Sequence, residues 1–573
     1  MAALVPAYAP RRPTETALYG IVRDHLETFL HWTRETYEKP LPRYVENELR
    51  GYLRCGVFKY GFVRCHCDAC GHDLLVAFSC KSRALCPSCA GRRMANTAAF
   101  LVDRVLPDVP VRQYVLSLPF ELRALAAFKA NVLGALARIF VSAIEARYRG
   151  RAKNTALGAV TFVQRFGGSL NLNVHFHVVV LDGVFTRDAE GHVGFAATPA
   201  PTRAELDAIV RRVQDRSLAW LRRRGLLDER PLEERSNETS APNALDACAA
   251  IAMQRGMVKT LSAEADAAAA GDAEGDHGDA RTGKTELAVD RDGFNLHADV
   301  RIEAGDDLGR ERLCRYGARP PLALERLRRL PGGRVAYHVK YVRCGRAKHR
   351  VMTAIELLAR LSALIPPPRY PLVRYSGVLA PKSSWRKDVV PKPRCASQPP
   401  VRGKTPDAKT RAADREGARN ARPAAKSRTC SHEDSGATAT VRDRGGSPPR
   451  RASPAAALPA TRESPLPSLT KLAETTVVEL LAPNVLSVRH WERLLGGALY
   501  ATTPRIDWAT LLRRTWDVDV LACAKCGGRL RVLGCVTDPE LGRAILDPLA
   551  MPTEAPRVAR ARDPTDDELT DDA

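Results

Sequence analysis

An α+β architecture is what the sequence predicts, and three observations predict it. Residues 14–60 carry apolar side chains at helical spacing, with Leu18, Ile21, Val22, His25, Leu26 and Phe29 on one face. Residues 159–166 and 170–185 read as two strands around Gly167-Gly168, the turn chemistry of a hairpin. A β-like stretch over Val111–Leu118 precedes a long helical run, Ala124–Tyr148, and helix returns over 203–224.

The cysteines add a metal module to this frame. Cys67-Asp-Ala-Cys70 is followed after fifteen residues by Cys86-Pro-Ser-Cys89. Two CxxC turns can present four thiolates to one tetrahedral zinc, so Cys67, Cys70, Cys86 and Cys89 are the expected ligands. Cys65, Cys80, His66 and His72 stand by as spares, and a second ion is open. Arg64, Lys81, Arg83, Arg92 and Arg93 crowd the same stretch, which suits a cationic surface for nucleic acid. A zinc knob that only stabilises the fold is the alternative. Near the other end, Cys523-Ala-Lys-Cys526 resembles half of a zinc ribbon, with only Cys535 close by.

The 573 residues allow three or four domains, and a formal net charge of +23 points to a polyanionic partner. Paired thiols argue for a reducing compartment rather than a secreted disulfide scaffold. No apolar run reaches the roughly eighteen residues of a membrane span, so a bacterial cytoplasmic protein, associated with the nucleoid, is expected. The domains are expected at 14–104 (helices and zinc-binding module), 110–391 (catalytic, with a flexible insertion at 262–284), 392–465 (disordered basic linker) and 466–552 (small C-terminal module with the CxxC). The linker is assigned on its Pro, Arg, Ala, Ser and Gly content, which cannot bury enough apolar surface to fold.

Catalytic candidates lie on two segments. In Leu172-Asn-Val-His175-Phe-His177-Val the side chains of a strand alternate, so His175 and His177 share a face and can ligate one ion, while Phe176 points into a core. Such a pair taken alone is usually packed or superficial. Gln164 is the expected third ligand, with Asp182 behind it. The second segment, Glu311-Arg-Leu-Cys-Arg315-Tyr316-Gly-Ala-Arg319, would group Tyr316 with arginines at helical spacing. A phenol needs nearby positive charge or a metal to attack phosphate. Tyr337 and Tyr341 lie in a β-like stretch after a Pro-Gly-Gly turn and rank below Tyr316.

The order of the cysteine module, QRFG…LNxNVHFHVVVLDGVF, LCRYxARPP and LIPPPRYPLVRYSGVLAP resembles the rolling-circle transposases of the insertion-sequence ninety-one type, in the branch associated with common-region elements. The resemblance covers about 15–385 and 508–552. It implies a ferredoxin-like HUH core: an antiparallel sheet carrying the histidines, with a tyrosine helix beside it. It implies His175 and His177 as ligands of Mg²⁺ or Mn²⁺, besides structural Zn²⁺, and Tyr316 as nucleophile, with Tyr337 the weaker alternative. Where the family's Tyr-x-x-x-Tyr has its first tyrosine, this chain has Arg312, which favours one-tyrosine chemistry. The implied activity is nicking and rejoining of single-stranded DNA at element ends and target through a 5′-phosphotyrosyl link. Arg315, Arg319 and Lys340 would hold phosphates, and Phe166 could stack a base. An HUH replication initiator or relaxase, and a non-catalytic zinc-dependent DNA-binding protein, are the alternatives.

Overall fold

In the computed structural model the described residues are 11–149, 154–227, 243–254, 258–259, 287–339, 348–391 and 508–562. The expected insertion at 262–284, the expected linker at 392–465 and Lys340 all fall outside them.

The amphipathic N-terminal pattern folds as the helix Ala17–Thr36, capped by Thr16, whose hydroxyl accepts from the Tyr19 amide. Its six expected core residues are all buried. A second helix, Arg43–Arg54, leads to the strand Phe62–Cys67, which pairs antiparallel with Asp73–Ala77. The helix Pro87–Arg104 follows, with proline in its first turn, where no amide partner is lost.

One antiparallel sheet organises what comes next. Its order is Ala288–Arg291, Phe294–His297, Val111–Ser117, Leu172–Leu181, Gly158–Phe166 and Val373–Gly377, with Arg301–Ile302 also on Val111–Ser117. The three stretches read as strands at 111–118, 159–166 and 170–185 thus contribute neighbouring strands of one sheet, and the mixed helix and antiparallel-sheet class is observed. The expected hairpin turns through 167–171, where Leu170 takes a positive φ of 55°. Its second arm is shorter than the pattern suggested. It ends at Leu181, and Gly183–Arg187 pairs instead with Val193–Ala197 in a separate sheet. The expected run Ala124–Tyr148 is two helices, Phe120–Phe128 and Ala130–Arg149, because Lys129 leaves helical backbone at φ −103°, ψ 100°.

The histidine strand Leu172–Leu181 lies between Val111–Ser117 and Gly158–Phe166, so both its edges are paired, and helices cover its two faces. Leu172, Val174, Phe176, Val178 and Val180 join the larger core, with Phe176 against Phe140 of the Ala130–Arg149 helix at 6.5 Å between ring centroids. Val179 and Leu181 join a second cluster with Val160, Phe162, Leu313 and Cys314. Period-two alternation thus assigns His175 and His177 to the second face, the one the Asp307–Gly317 helix covers.

The stretch expected as a separate C-terminal module sits in the N-terminal sheet. Leu530–Val536 pairs antiparallel with Phe62–Cys67, making a three-stranded sheet. In the helix Trp508–Trp516, Leu511 packs on Ala95 and Ala99 of the Pro87–Arg104 helix.

At the end of the histidine strand, Asp182 is fully buried and saturated. Arg112 donates to both its oxygens at 3.2 and 3.1 Å, Arg301 donates at 2.8 Å and the Tyr148 hydroxyl at 2.7 Å. This carboxylate is a structural anchor, and its commitment to three partners corrects the expectation of it as a reserve metal ligand. Asp182→Ala leaves the Arg112 guanidinium buried without its counter-ion, and should cost about 3–5 kcal/mol. Urea denaturation of the variant against the parent measures it. A change under about 1 kcal/mol would show the anchor to be dispensable.

Candidate catalytic centre

His175 and His177 project together, their ring centroids 4.9 Å apart. Both are buried, and the loss of water holds both imidazoles neutral. Burial pushes His175 down to about 4, against the opposing effect of its bond to the Asn173 carbonyl. His177 lies well below its ordinary value for the same reason, with His175 and Arg319 adding to the effect. Each ring is oriented through Nδ1. That of His175 donates to the Asn173 carbonyl at 2.9 Å, and that of His177 meets the Gln113 side-chain amide at 3.1 Å. Nε2 of His177 is buried and meets no hydrogen-bond partner among the described residues. With the Gln113 amide turned so that its oxygen accepts from Nδ1–H, this orphaned nitrogen is left with the lone pair a cation site needs.

The tyrosine arrives from a helix capped at both the sequence and the packing level. Asp306 accepts from the Gly309 amide at 2.7 Å, and Arg310 reaches back to the Pro107 carbonyl and Asp108 at 2.8 and 2.7 Å. Leu313 and Cys314 face the sheet. Tyr316 then sits at the last turn, 38% exposed, with its ring edge-on to His177 at 5.4 Å between centroids and 84° between planes. Arg319 lies over the Tyr316 ring at 4.9 Å.

Gln164, directly opposite His175 in register, ties this turn down. Its amide nitrogen donates to the Tyr316 carbonyl at 2.7 Å and the Gly317 carbonyl at 3.0 Å, while its oxygen lies 3.4 Å from Nε of Arg319. Here the expected metal-ligand candidate acts as a brace for the Tyr316 backbone. Gln113 is a participant that sequence reading missed. Its signal was its place three residues into a strand that had already been recognised, but only the register shows it opposite Val179, beside His177.

The other expected site residues divide. Tyr337 is 2% exposed in the separate sheet Leu327–Arg329, Val335–His338, His349–Met352, where it pairs with Leu327; burial raises its phenol above the ordinary range. It is a core residue. Arg315 is half-buried beside Tyr316, and Arg312 is exposed one turn earlier on the helix. Arg319, expected on phosphates, is stacked over Tyr316 and Phe166. Phe166 is itself buried in the larger core, which leaves it no face for a base.

The four expected zinc ligands do not converge. Cys86 and Cys89 gather with Cys55 and Cys80, at Sγ separations of 3.5 Å (Cys55–Cys86), 3.7 Å (Cys55–Cys89) and 3.6 Å (Cys80–Cys89). Cys67 and Cys70 gather elsewhere, with Cys523 and Cys526. The physical reason is that Phe62–Cys67 and Asp73–Ala77 form a hairpin that carries its CxxC away from the start of the Pro87–Arg104 helix. Of the spares, Cys80 is in a cluster. His66 pairs with Asp73 at 2.8 Å, and Cys65 is buried next to the second cluster without belonging to it. Cys55, at the end of a helix and alone in sequence, was not foreseen. The expected cationic surface is also thinner than the sequence suggested. Arg64 is buried on Asp73, Arg83 donates to the carbonyls of Pro367 and Tyr370, and Arg93 to those of Lys81 and Ser82.

Comparison with known families meets this geometry at both places. A family model described as "Transposase zinc-binding domain", of the IS91 type, matches residues 21–118, and one described as "Putative transposase" matches residues 158–387. The chain belongs to the IS91 transposases. The second match spans His175, His177 and Tyr316; the first spans the whole Cys55, Cys80, Cys86, Cys89 cluster. No curated protein and no solved structure matches. As a transposase the chain acts on DNA. Among its described residues no single helix is long and apolar enough to cross a membrane.

The seam under Tyr316 is tight at one point. A Cβ on Gly317 would lie 2.7 Å from Cδ2 of Phe162, the residue opposite His177 in register. Gly317→Ala should therefore push the helix end off the sheet, at about 1–3 kcal/mol. Thermal unfolding would register it, and pairing the change with Phe162→Leu should restore part of the loss. Equal destabilisation in the single and double variants would show that the two residues do not oppose each other.

Proposed function

We propose that this transposase cuts and rejoins single-stranded DNA at element ends, with Tyr316 as nucleophile and His175 and His177 as ligands of a divalent cation, Mg²⁺ or Mn²⁺, in an HUH-type ferredoxin-like core. One observation carries the reading: a helix tyrosine lies edge-on to a buried, neutral histidine pair from a distant strand, with an arginine over its ring. The buried Nε2 of His177, which has no partner among the described residues and holds its lone pair when the Gln113 oxygen faces Nδ1–H, and the ring of His175, fixed through Nδ1, suit a cation ligand set. When bound, the cation would polarise the scissile phosphate and offset charge on its oxygens.

The chain's own residues supply the rest. Gln164 holds the helix turn, so Tyr316 is offered at a fixed distance from the histidines. Its oxygen attacks phosphorus, the phenol proton passes to water at the exposed side, and the bond to the 3′ oxygen breaks. That oxygen takes a proton and leaves as a 3′ hydroxyl, while the phosphate remains as a 5′-phosphotyrosyl ester. Arg319 opposes the negative charge that develops on the phenol oxygen. A later 3′ hydroxyl, from the same strand or the target, reverses the step without a nucleotide cofactor because the ester preserves the bond. Arg312 replaces a second tyrosine with a cation, consistent with a single nucleophile. The domain plan of a zinc-binding module at 14–104 and a catalytic domain at 110–391 follows. So does a structural zinc on Cys55, Cys80, Cys86 and Cys89, whose 3.5–3.7 Å sulfur separations approach the roughly 3.8 Å of a tetrahedral Zn–S₄ centre.

Incubation of the protein with a labelled single-stranded element end and Mg²⁺ tests the nucleophile. Tyr316→Phe should yield no covalent protein–DNA adduct while the salt dependence of binding is unchanged, since a phenol neutralises no phosphate. His177→Ala should also fail to cut, and Tyr337→Phe should cut normally. An adduct formed by Tyr316→Phe would reject the assignment.

A further inference from the structure

Two CxxC turns from opposite ends of the chain have the same backbone. In Cys67-Asp-Ala-Cys70-Gly71-His72 the Gly71 amide donates to the Cys67 carbonyl at 2.9 Å, and the Cys67 amide to the His72 carbonyl at 2.9 Å. In Cys523-Ala-Lys-Cys526-Gly527-Gly528 the Gly527 amide donates to the Cys523 carbonyl at 2.8 Å, and the Cys523 amide to the Gly528 carbonyl at 2.7 Å. Both turns close on a glycine with positive φ, 70° at Gly71 and 73° at Gly527, a conformation that costs a side chain dearly. The Gly528 amide also points at the Cys526 sulfur at 3.4 Å. An amide aimed at a cysteine sulfur suits a thiolate, because it opposes the negative charge.

These turns face each other. Cys67 Sγ lies 3.5 Å from Cys526 Sγ and Cys70 Sγ 3.6 Å from Cys523 Sγ, and the four sulfurs are all within 4.8 Å of one another. Such distances are too long for disulfides and close to the edges of a Zn–S₄ tetrahedron, about 3.8 Å. Strand pairing carries the turns into place: Cys67 is opposite Leu530 in the antiparallel ladder of Phe62–Cys67 with Leu530–Val536. Gly528 packs close to the sulfurs: a Cβ there would lie 3.2 Å from Cys526 Sγ and 3.4 Å from Cys67 Sγ.

We propose that Cys67, Cys70, Cys523 and Cys526 bind a second structural zinc ion, forming a ribbon whose halves come from the two ends of the chain. Half of its ligands lie outside the 21–118 segment that the zinc-binding family model matches. The site is independent of the cleavage reading, since none of its ligands belongs to the catalytic centre. It closes the chain between Cys70 and Cys523 into a loop and locks the C-terminal segment onto the N-terminal sheet. From that segment Arg514 donates to Glu311 of the tyrosine helix at 2.8 and 3.0 Å and to Asp103 of the Pro87–Arg104 helix at 2.5 Å. The clamp therefore buttresses the helix that carries Tyr316 from its far side.

Elemental analysis of the full-length chain, purified under reducing conditions, tests the site. Wild type should hold two zinc ions per chain, and Cys523→Ser/Cys526→Ser should hold one. One zinc in the wild type, or two in the double variant, would overturn the proposal. A second measurement guards against simple misfolding of the serine variant. Cys526→His keeps four ligands at an exposed position, so it should retain two metal ions after exchange into cobalt(II). Its visible absorption should shift as imidazole replaces one thiolate at one of two centres. An unchanged cobalt spectrum would place Cys526 outside any metal site and sink the assignment.

Discussion

Everything at the proposed catalytic centre depends on the contact between the last turn of the tyrosine helix and the middle of the central sheet. Two hydrogen bonds from Gln164 hold the carbonyls of Tyr316 and Gly317, and the missing side chain at Gly317 lets the turn settle on Phe162. Helix ends leave carbonyls without partners in their own helix, and a buried amide from a neighbouring strand is one way to satisfy them. The same bonds set the distance from phenol to histidine. Fold stability and the geometry of the proposed site are therefore written in one set of contacts, and neither can be altered without the other.

Around that seam the polar groups are arranged so that charge is confined. Asp182 absorbs the charge of Arg112 at one end of the histidine strand, and the histidines at the other end stay neutral because they are dry. Arg165, wholly buried, donates to the carbonyls of Ala127 and Ala363 and stacks on Phe128 and Tyr370. Many of the chain's cations are thus internal fasteners. The net charge of +23 overstates what the described surface of the site offers to DNA, although the sign of the preference for a polyanion stands.

The two cysteine clusters divide their work in a similar way. Cys55, Cys80, Cys86 and Cys89 join a helix end, a loop and a helix start, and Glu48 accepts from the Ser82 hydroxyl and the Arg83 and Ala84 amides in the same loop. Cys67, Cys70, Cys523 and Cys526 join strands from distant parts of the chain. Cys55, Cys86 and Cys89 of the first cluster belong to the larger core, whereas Cys67 and Cys523 of the second form a small cluster with Cys65 and Leu530.

Local chemistry was legible in the residues. Alternation along Leu172–Leu181 placed His175 and His177 on one face, helical spacing set Tyr316 on an arginine-rich helix, and CxxC turns marked metal-binding knuckles, because each of these patterns is satisfied within one element. Which elements meet was not legible. The nearest CxxC turns in sequence, at Cys67 and Cys86, are split between two clusters, and the lone Cys55 joins one of them; spacing along the chain says nothing about a hairpin that turns its knuckle away. Gln164 and Asp182 look alike as candidate ligands in sequence, and only packing makes one a brace for the tyrosine turn and the other a partner of Arg112. The sequence by itself determined the class of fold, the family and the pair of histidines. Tertiary structure alone decided the partners of each cysteine, the burial of Tyr337 and the meeting of Tyr316 with His177, since long-range pairing is chosen by the burial of whole faces rather than by any local signal.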